Sequence, residues 1–544
     1  MKRRNFLSAA PALSAATVAG AAAVTASAAV IPESPESPGN PAFRWPELTA
    51  ADAGRQMADG KLTSLALTQA YLARIAAVDR AGPKLHSIIE LNPDAEAIAA
   101  ALDAERAAGK LRGPLHGLPV LIKDNIATHD RMATTAGSIA LAGVPVPQDS
   151  TLVARLREAG AVILGKTNLS EWANFRGKAS VSGWSSRGGQ TLNPYALDRT
   201  PSGSSSGTGA ALAANLALLG VGTETDGSIT SPAAVQGLVG LKPTLGMVSR
   251  HGVVPIAFSQ DTAGPMCRSV ADAALLLWAL AGVDAADPIT KAQQGRFDRN
   301  ALLKLPAGAL KGKRLGVATN LVDGHGRATV ALFDAALQAL EAAGATLVRE
   351  PLPQLPAMGA GELDVLVYEM AAAMTGYLRD FAPTGPFKSI ADLVAFNQAH
   401  PETLALFGQE WFEASAASAK AGGIKAPKYL KSLAAGQRAA RALGIDAMLK
   451  KHKLDAIVAP TSGPAWLIDP VKGDQDTTPS ATTPAAVAGY PHVTVPMGQV
   501  RGLPVGLSFF GTAWTDAKLL ALAADYEQRT MLRREPQFKP TAGA

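Results

Sequence analysis

The chain has 544 residues, of which 47% are hydrophobic and 18% charged, and its formal net charge is +6. This composition can bury a large core, so it excludes a disordered or fibrous protein. The aromatic content of 5% is low and alanine is abundant, which favours many closely packed helices over an all-β design.

The first 28 residues are predicted to be an export signal. Arg3 and Arg4 are adjacent, an uncharged alanine-rich stretch follows at 9–26, and Ala-Ser-Ala at 26–28 has the small-residue spacing that a signal peptidase accepts. The arginine pair indicates the twin-arginine route, which exports folded proteins, and hence a periplasmic or secreted location. The alternative is an N-terminal membrane anchor, which the weak hydrophobicity of the segment disfavours.

Cleavage of this signal would remove Lys2, Arg3 and Arg4 and no acidic residue, lowering the net charge from +6 to +3. That charge is too small to indicate nucleic-acid binding, and no basic run with interleaved aromatic residues follows. The single cysteine, Cys267, cannot form an internal disulfide and is predicted to be an inert core residue. After cleavage we expect no membrane segment, and a monomer is favoured over an oligomer.

Helices and strands alternate after a Pro/Ser-rich linker at 29–46. Apolar periodicity predicts helices, the first of them capped by Ser64, at 65–78, 95–108 and 328–343. Short apolar runs predict buried strands at 118–122, 161–164, 216–221, 314–317, 456–458 and 492–495. This order predicts an α/β fold with a largely parallel sheet covered by helices on both faces. The less regular stretch at 287–431 is predicted to be an insertion that shapes a pocket or lid.

Two Gly/Ser turns lie 24 residues apart. The first, at 201–207, reads Pro-Ser-Gly-Ser-Ser-Ser-Gly and precedes a predicted helix at 210–219; the second, at 222–229, reads Gly-Thr-Glu-Thr-Asp-Gly-Ser-Ile. This spacing suits a pair of hydroxyls, on Ser204 and Ser228, that one buried lysine activates. A phosphate-binding loop is the competing interpretation of the first turn, but the Gly-Lys-Ser/Thr ending of that motif is missing.

Lys123 is the candidate base, because it ends the apolar run 118–122 and would lie at a strand end rather than in open water. A lysine that accepts a proton must be neutral, which requires its pKa to fall about three units below the usual value of about 10.4. Burial can produce a shift of that size. A hydrolase with a serine nucleophile also needs donors for the oxyanion, and the second turn offers the backbone N–H groups of Thr225, Asp226, Gly227 and Ser228.

The three segments resemble the amidase signature family of serine hydrolases. The family pattern has Lys-Asp-Asn after an apolar strand and two Gly/Ser turns some two dozen residues apart. Further similar stretches, at 166–171, 261–266, 460–461 and 491–511, extend the resemblance over nearly the whole chain after the signal. The resemblance implies one α/β/α domain at 47–540 with a single large mixed sheet, a signature core at about 110–270 and a variable pocket or lid region at about 287–431.

By position, the resemblance implies that Ser228 is the nucleophile, that Ser204 is a bridging serine next to a cis peptide bond, and that Lys123 is the base. Gly203 and Ser205 would support the first turn. The catalytic unit would then be a Ser-Ser-Lys triad that needs no cofactor. The eight histidines lack the paired spacing of a metal site, so no metal is expected either.

Asp226 and Thr230 stand where many family members carry glycine and arginine, and this version of the second turn is most similar to bacterial peptide amidases. That similarity implies a small-molecule or short peptide amide as substrate, with the C-terminal amide of peptides released as ammonia through an acyl-enzyme. A broad-specificity aliphatic or aryl amidase of the same family is the alternative. A transamidation subunit of the same family would need no export signal, so the predicted signal at 1–28 argues against it. An inactive periplasmic binding protein is the alternative from another class, and it would not need Lys123, Ser204 and Ser228 together.

Overall fold

Thirteen β-strands lie within residues 43–543, the part of the chain that the computed structural model describes. Eleven of them form one sheet and two, β4 and β5, form a small hairpin. In chain order the strands are β1 (Ile88–Leu91), β2 (Pro119–Lys123), β3 (Val162–Thr167), β4 (Trp184–Ser185), β5 (Gly189–Gln190), β6 (Leu219–Glu224), β7 (Val239–Lys242), β8 (Thr262–Cys267), β9 (Arg314–Ala318), β10 (Thr346–Glu350), β11 (Ala456–Pro460), β12 (His492–Val500) and β13 (Leu503–Phe510).

The strand order across the sheet is β1-β3-β2-β6-β8-β7-β12-β13-β11-β9-β10. Pairing is parallel in β3–β2–β6 and in β11–β9–β10, and antiparallel in all the other pairs of this sheet. The large mixed sheet confirms the predicted α/β class. Parallel pairing is nevertheless less common than predicted, since four strand pairs of this sheet are parallel and six are antiparallel. The antiparallel pairs arise because β8, β7, β12 and β13 run antiparallel to their neighbours through the middle of the sheet.

Sixteen α-helices accompany the strands in the described residues. They are α1 (Ala50–Ala58), α2 (Ser64–Arg74), α3 (Ala95–Ala107), α4 (Thr151–Glu158), α5 (Ser206–Ala213), α6 (Thr230–Ala234), α7 (Val270–Leu280), α8 (Arg327–Ala342), α9 (Leu355–Gly359), α10 (Glu362–Phe381), α11 (Ile390–Ala399), α12 (Glu410–Lys420), α13 (Pro427–Ala440), α14 (Asp446–His452), α15 (Thr482–Ala488) and α16 (Asp516–Thr530). Every residue of β2, β3, β6 and β8 is buried, which requires cover on both faces of this part of the sheet.

The start of α2 differs in detail from the prediction. Thr63, not Ser64, is the cap, and its side chain accepts a hydrogen bond from the N–H of Ala66. Ser64 is the first helical residue, and its hydroxyl donates to the carbonyl of Gly117 at 2.8 Å. Ser64 therefore ties α2 to the chain that enters β2, the strand that carries Lys123.

The helix that follows the first Gly/Ser turn begins and ends earlier than predicted. It is α5, which begins at Ser206 and ends at Ala213, whereas the sequence predicts 210–219. Asn215 has a left-handed φ of 58°, a conformation that asparagine tolerates and that ends helices. The chain then enters β6 at Leu219, three residues later than predicted.

The stretch at 287–431 is more regular than its sequence pattern indicates. It contributes β9, β10 and α8 to the sheet region, and then helices α9 to α13. A separate apolar cluster joins α10, α11 and α12 to residues of the 254–257 segment. This region therefore contacts the signature core, while the predicted domain limits stay predictions.

The predicted signal at 1–28 and residues 29–42 of the predicted linker lie outside the described residues. The described residues, 43–543, all fall in one compact unit. Among them, no helix combines the length and the apolar character that crossing a bilayer requires.

Candidate active site

The amino group of Lys123 lies in a fully buried site at the end of β2. Its Nζ is 2.7 Å from Oγ of Ser204, 2.9 Å from Oγ1 of Thr223 and 3.3 Å from the Thr223 carbonyl oxygen. Asn125 donates from Nδ2 to the same Thr223 hydroxyl at 3.0 Å. Because β2 and β6 are parallel neighbours, the ends of both strands meet at this point and bring Lys123 and Thr223 together.

Burial lowers the pKa of Lys123 to about 7, and the negative charges of Asp261 and Glu224 oppose that shift without cancelling it. A neutral amine has two N–H donors and one lone pair. The Thr223 carbonyl can only accept, and its hydroxyl can accept as well, so both donors are used on Thr223. The lone pair is then left for the hydroxyl proton of Ser204, the geometry that a general base requires.

The first Gly/Ser turn holds Ser204 at the base. The peptide bond between Gly203 and Ser204 is cis, as the resemblance implies. Ser205 fixes the turn to β6, because its hydroxyl donates to the Thr223 carbonyl at 3.0 Å and accepts from the Thr223 N–H at 3.2 Å. These contacts agree with the supporting role that the resemblance implies for Ser205.

A Gly203→Ala variant is expected to lose at least about 10-fold in kcat, because an added Cβ would lie 2.2 Å from Oγ of Ser170 and displace the turn. Overpacking of this kind also costs about 1–3 kcal/mol of stability. Amide hydrolysis and thermal unfolding together measure both effects. Gly54→Ala is the matched control, because its Cβ meets nothing within 4 Å; equal activity of the two variants would show that the turn tolerates a side chain.

The second Gly/Ser turn leaves a set of backbone donors free. Glu224 accepts the N–H groups of Ile229 and Thr230 through Oε2, at 2.8 and 2.9 Å. Within residues 43–543, the preceding four N–H groups have no hydrogen-bond acceptor; they are those of Thr225, Asp226, Gly227 and Ser228. Free N–H groups beside a serine hydroxyl are the feature that an oxyanion hole requires.

Exposure distinguishes the two serines. Ser228 is 7% exposed, whereas Ser204 and Lys123 are fully buried. The N–H of Ser205 donates to the Ser228 carbonyl at 3.1 Å, so the two turns are joined directly. A substrate would therefore meet Ser228 before either of the other two side chains, which is the order that the predicted roles of nucleophile, bridge and base require.

Asp226 faces a second carboxyl group, that of Glu362 on α10. Oδ2 of Asp226 accepts a hydrogen bond from the Thr483 hydroxyl at 2.5 Å. Burial and the neighbouring Asp226 raise the pKa of Glu362 well above its usual range. Burial also raises the pKa of Asp226, against the hydrogen bonds from Thr482 and Thr483. The two carboxyl groups can therefore share one proton next to the predicted oxyanion hole.

Sequence reasoning assigned no role to Thr223, Gln260, Asp261 or Glu362. Thr223 and Asp261 belong to stretches that resemble the family, and Gln260 directly precedes one of these stretches. That proximity is the feature of the sequence that could have indicated a role for these three residues. Glu362 lies in the variable region, where nothing in the sequence indicates that it reaches the second turn. Cys267 is buried in β8 and burial raises its thiol pKa, in agreement with an inert core residue.

Sequence and structure comparisons show which known proteins this chain resembles. Residues 66–520 match the family described as Amidase. A solved structure of native peptide amidase from Stenotrophomonas maltophilia is 52% identical in sequence and superposes with a TM-score of 0.87. That superposition covers 91% of this chain and all of the other.

Two curated relatives differ in the activity that their names give. A probable amidase of Arabidopsis thaliana is 38% identical over 91% of this chain and 92% of its own length. A glutamyl-tRNA(Gln) amidotransferase subunit of Pseudomonas syringae pv. syringae is 36% identical over 89% of this chain and 98% of its own length. The matched span, the identities and the shared fold together show that the chain belongs to the amidase family, whose characteristic catalytic unit is a Ser-Ser-Lys triad.

Proposed function

We propose that this amidase hydrolyses the C-terminal carboxamide of peptides to a carboxylate and ammonia, with Ser228, Ser204 and Lys123 as its triad. The observation that carries the proposal is the 2.7 Å contact between Nζ of Lys123 and Oγ of Ser204, in a buried site that lowers the lysine pKa to about 7. The 52% identity to a peptide amidase supports the choice of substrate.

Acylation begins when Oγ of Ser228 attacks the carboxamide carbon. The Ser228 proton passes to Oγ of Ser204, whose own proton passes to the lone pair of Lys123. The carbonyl oxygen becomes an oxyanion and accepts from the free N–H groups at 225–228. The C–N bond then breaks, the proton returns from Lys123 through Ser204 to the leaving nitrogen, and ammonia departs.

Deacylation uses the same three side chains in the reverse sense. Water attacks the ester carbon while its proton passes through Ser204 to Lys123, and the oxyanion forms at the same N–H groups. The ester C–O bond then breaks and the proton returns to Oγ of Ser228. The products are a peptide with a free carboxylate and the enzyme in its starting state, so no cofactor is consumed.

An ammonia-release assay on three amides tests this proposal. We expect kcat/KM for an amidated dipeptide to exceed that for acetamide by about 100-fold or more, because binding energy from the remote part of a substrate lowers the barrier of the reaction. Glutamine is the third substrate, and the dipeptide with a free carboxylate is the blank. Mass spectrometry of a longer amidated peptide checks that internal peptide bonds stay intact.

Each of the other possible results of this assay would support a different function. Equal rates with acetamide would indicate a broad-specificity amidase, and a preference for glutamine would indicate chemistry like that of the amidotransferase relative. No hydrolysis of any amide would favour an inactive binding protein, an alternative that the comparisons do not support. Export through the predicted signal at 1–28, a periplasmic or secreted location and a monomeric state stay predictions.

A further inference from the structure

The segment 256–261 lies against the second Gly/Ser turn, and two of its side chains contact Thr225. The Thr225 hydroxyl donates to Oδ1 of Asp261 at 2.6 Å. Gln260 donates from Nε2 to the Thr225 carbonyl oxygen at 3.3 Å. The side chain and the carbonyl of the same residue are therefore both held by this segment.

Helix α10 and Tyr429 of α13 fix the other side of this segment. Gln260 Nε2 donates its second hydrogen to Oε1 of Glu362 at 2.7 Å. The N–H of Ser259 donates to Oε2 of the buried Glu369 at 2.8 Å, and the Tyr429 hydroxyl donates to Oε1 of Glu369 at 2.8 Å. Segment 256–261 thus joins α10 to the turn through a chain of hydrogen bonds.

The contact between Gln260 and the Thr225 carbonyl has a consequence for the neighbouring N–H group. The Thr225 carbonyl and the Asp226 N–H belong to one peptide plane, and that peptide bond is trans. In a trans peptide the C=O and N–H bonds point in opposite directions, so a hydrogen bond to one fixes the direction of the other. A donor on the Thr225 carbonyl therefore directs the free Asp226 N–H toward the opposite side of the plane.

We propose that Gln260 is a positioning residue for the oxyanion hole: its amide holds the Thr225–Asp226 peptide plane so that the Asp226 N–H meets the developing oxyanion. This inference rests on the proposed function, which assigns that N–H to the oxyanion. Gln260 touches no reacting atom. Its effect falls on the transition state, where the oxyanion exists, and not on the bound ground state.

A Gln260→Met variant tests the inference, because methionine keeps the length and volume of the side chain but cannot donate. We expect kcat for an amidated dipeptide to fall about 10-fold with KM unchanged within 2-fold, since complete loss of one oxyanion donor costs about 100- to 1000-fold. A peptide aldehyde that forms a hemiacetal with Ser228 should lose about the same factor in affinity. The carboxylate product should bind as before.

Gln409→Met is the matched control. Gln409 is 4% exposed against 3% for Gln260, and its Nε2 also donates to a backbone carbonyl, that of Val394, at 3.2 Å. Its side chain hydrogen-bonds to Asn397 and Val394 and to neither Gly/Ser turn, so this variant should lose similar stability and keep kcat. Equal falls in kcat for both variants would overturn the inference by assigning the effect to general destabilisation.

The outcomes separate this inference from the proposed function. Wild-type kcat in the Gln260→Met variant would overturn the role of Gln260 while leaving amide hydrolysis established. A rise in KM at unchanged kcat would also overturn it, because Gln260 would then act on ground-state binding. If the wild-type protein hydrolysed no peptide amide, the proposed function would fail first, and the fall in kcat that the inference requires would not occur.

Discussion

A Ser228→Ala variant is expected to lose amide hydrolysis by about 10⁴-fold or more, since removal of the nucleophile from a serine hydrolase leaves only the contribution of binding and the oxyanion hole. The variant should fold, because the alanine removes one hydroxyl from a residue that is already 7% exposed. Ammonia release from an amidated dipeptide measures the loss. A fluorophosphonate label should mark the wild-type protein at Ser228 and leave the variant unmarked.

Ser205→Ala is the comparison that separates nucleophile from support. Ser205 bonds the Thr223 N–H and carbonyl and directly precedes α5, so its loss should loosen the turn and lower kcat by about 10-fold without abolishing turnover. Comparable activity in Ser228→Ala and Ser205→Ala would remove Ser228 from the proposed role. Thermal unfolding of both variants excludes a folding defect as the cause.

The sheet was predictable where strands are uninterrupted apolar runs. The sequence predicts most of β2, β9 and β11, the first half of β3 and the start of β12, because each is a short buried stretch of branched or small apolar residues. It does not predict β8, whose Gly264 and Pro265 interrupt the apolar run that marks a strand. Since β8 lies between β6 and β7, the antiparallel middle of the sheet is the part that local pattern could not give.

The active-site residues also fall into those that local sequence motifs indicate and those that they do not. Lys123, Ser204 and Ser228 lie in short motifs whose residue types and spacing indicate chemistry, so position in the sequence was enough to nominate them. The contact between Gln260 and Glu362 joins residues 102 positions apart, and it depends on how α10 packs. No local pattern encodes such a contact, because packing of distant segments determines it.

A Lys123→Met variant is the second large expected effect, and it tests the base. The variant keeps the volume of the side chain but has no lone pair on nitrogen, so kcat/KM should fall by about 10³-fold or more. For the wild type, kcat/KM should decrease as pH falls through about 7, because protonated Lys123 cannot accept the Ser204 proton. That acidic limb should be absent from the residual activity of the variant.

The Lys123→Met substitution should raise the free energy of unfolding while it lowers activity. The folded-state pKa of Lys123 is about 7, while an unfolded lysine has its usual value of 10.5. Between these values the unfolded state binds the proton and the folded state does not, so the wild-type protein loses stability as pH falls from 10.5 to 7. The shift corresponds to roughly 5 kcal/mol, fully lost below pH 7. Lys123→Met should therefore gain stability over the wild type, and more at pH 7 than at pH 10.

Urea unfolding at pH 7 and pH 10 measures this difference. Lys166→Met is the matched comparison, because Lys166 is also fully buried and burial lowers its pKa to about 8, while its Nζ donates to the Ile126 carbonyl and the Thr134 hydroxyl and not to Ser204. It should share the pH-dependent gain and keep the acidic limb of kcat/KM near pH 7. If the limb instead disappeared with Lys166 and survived in Lys123→Met, the base would not be Lys123, because only the group that titrates in the reaction can carry that limb.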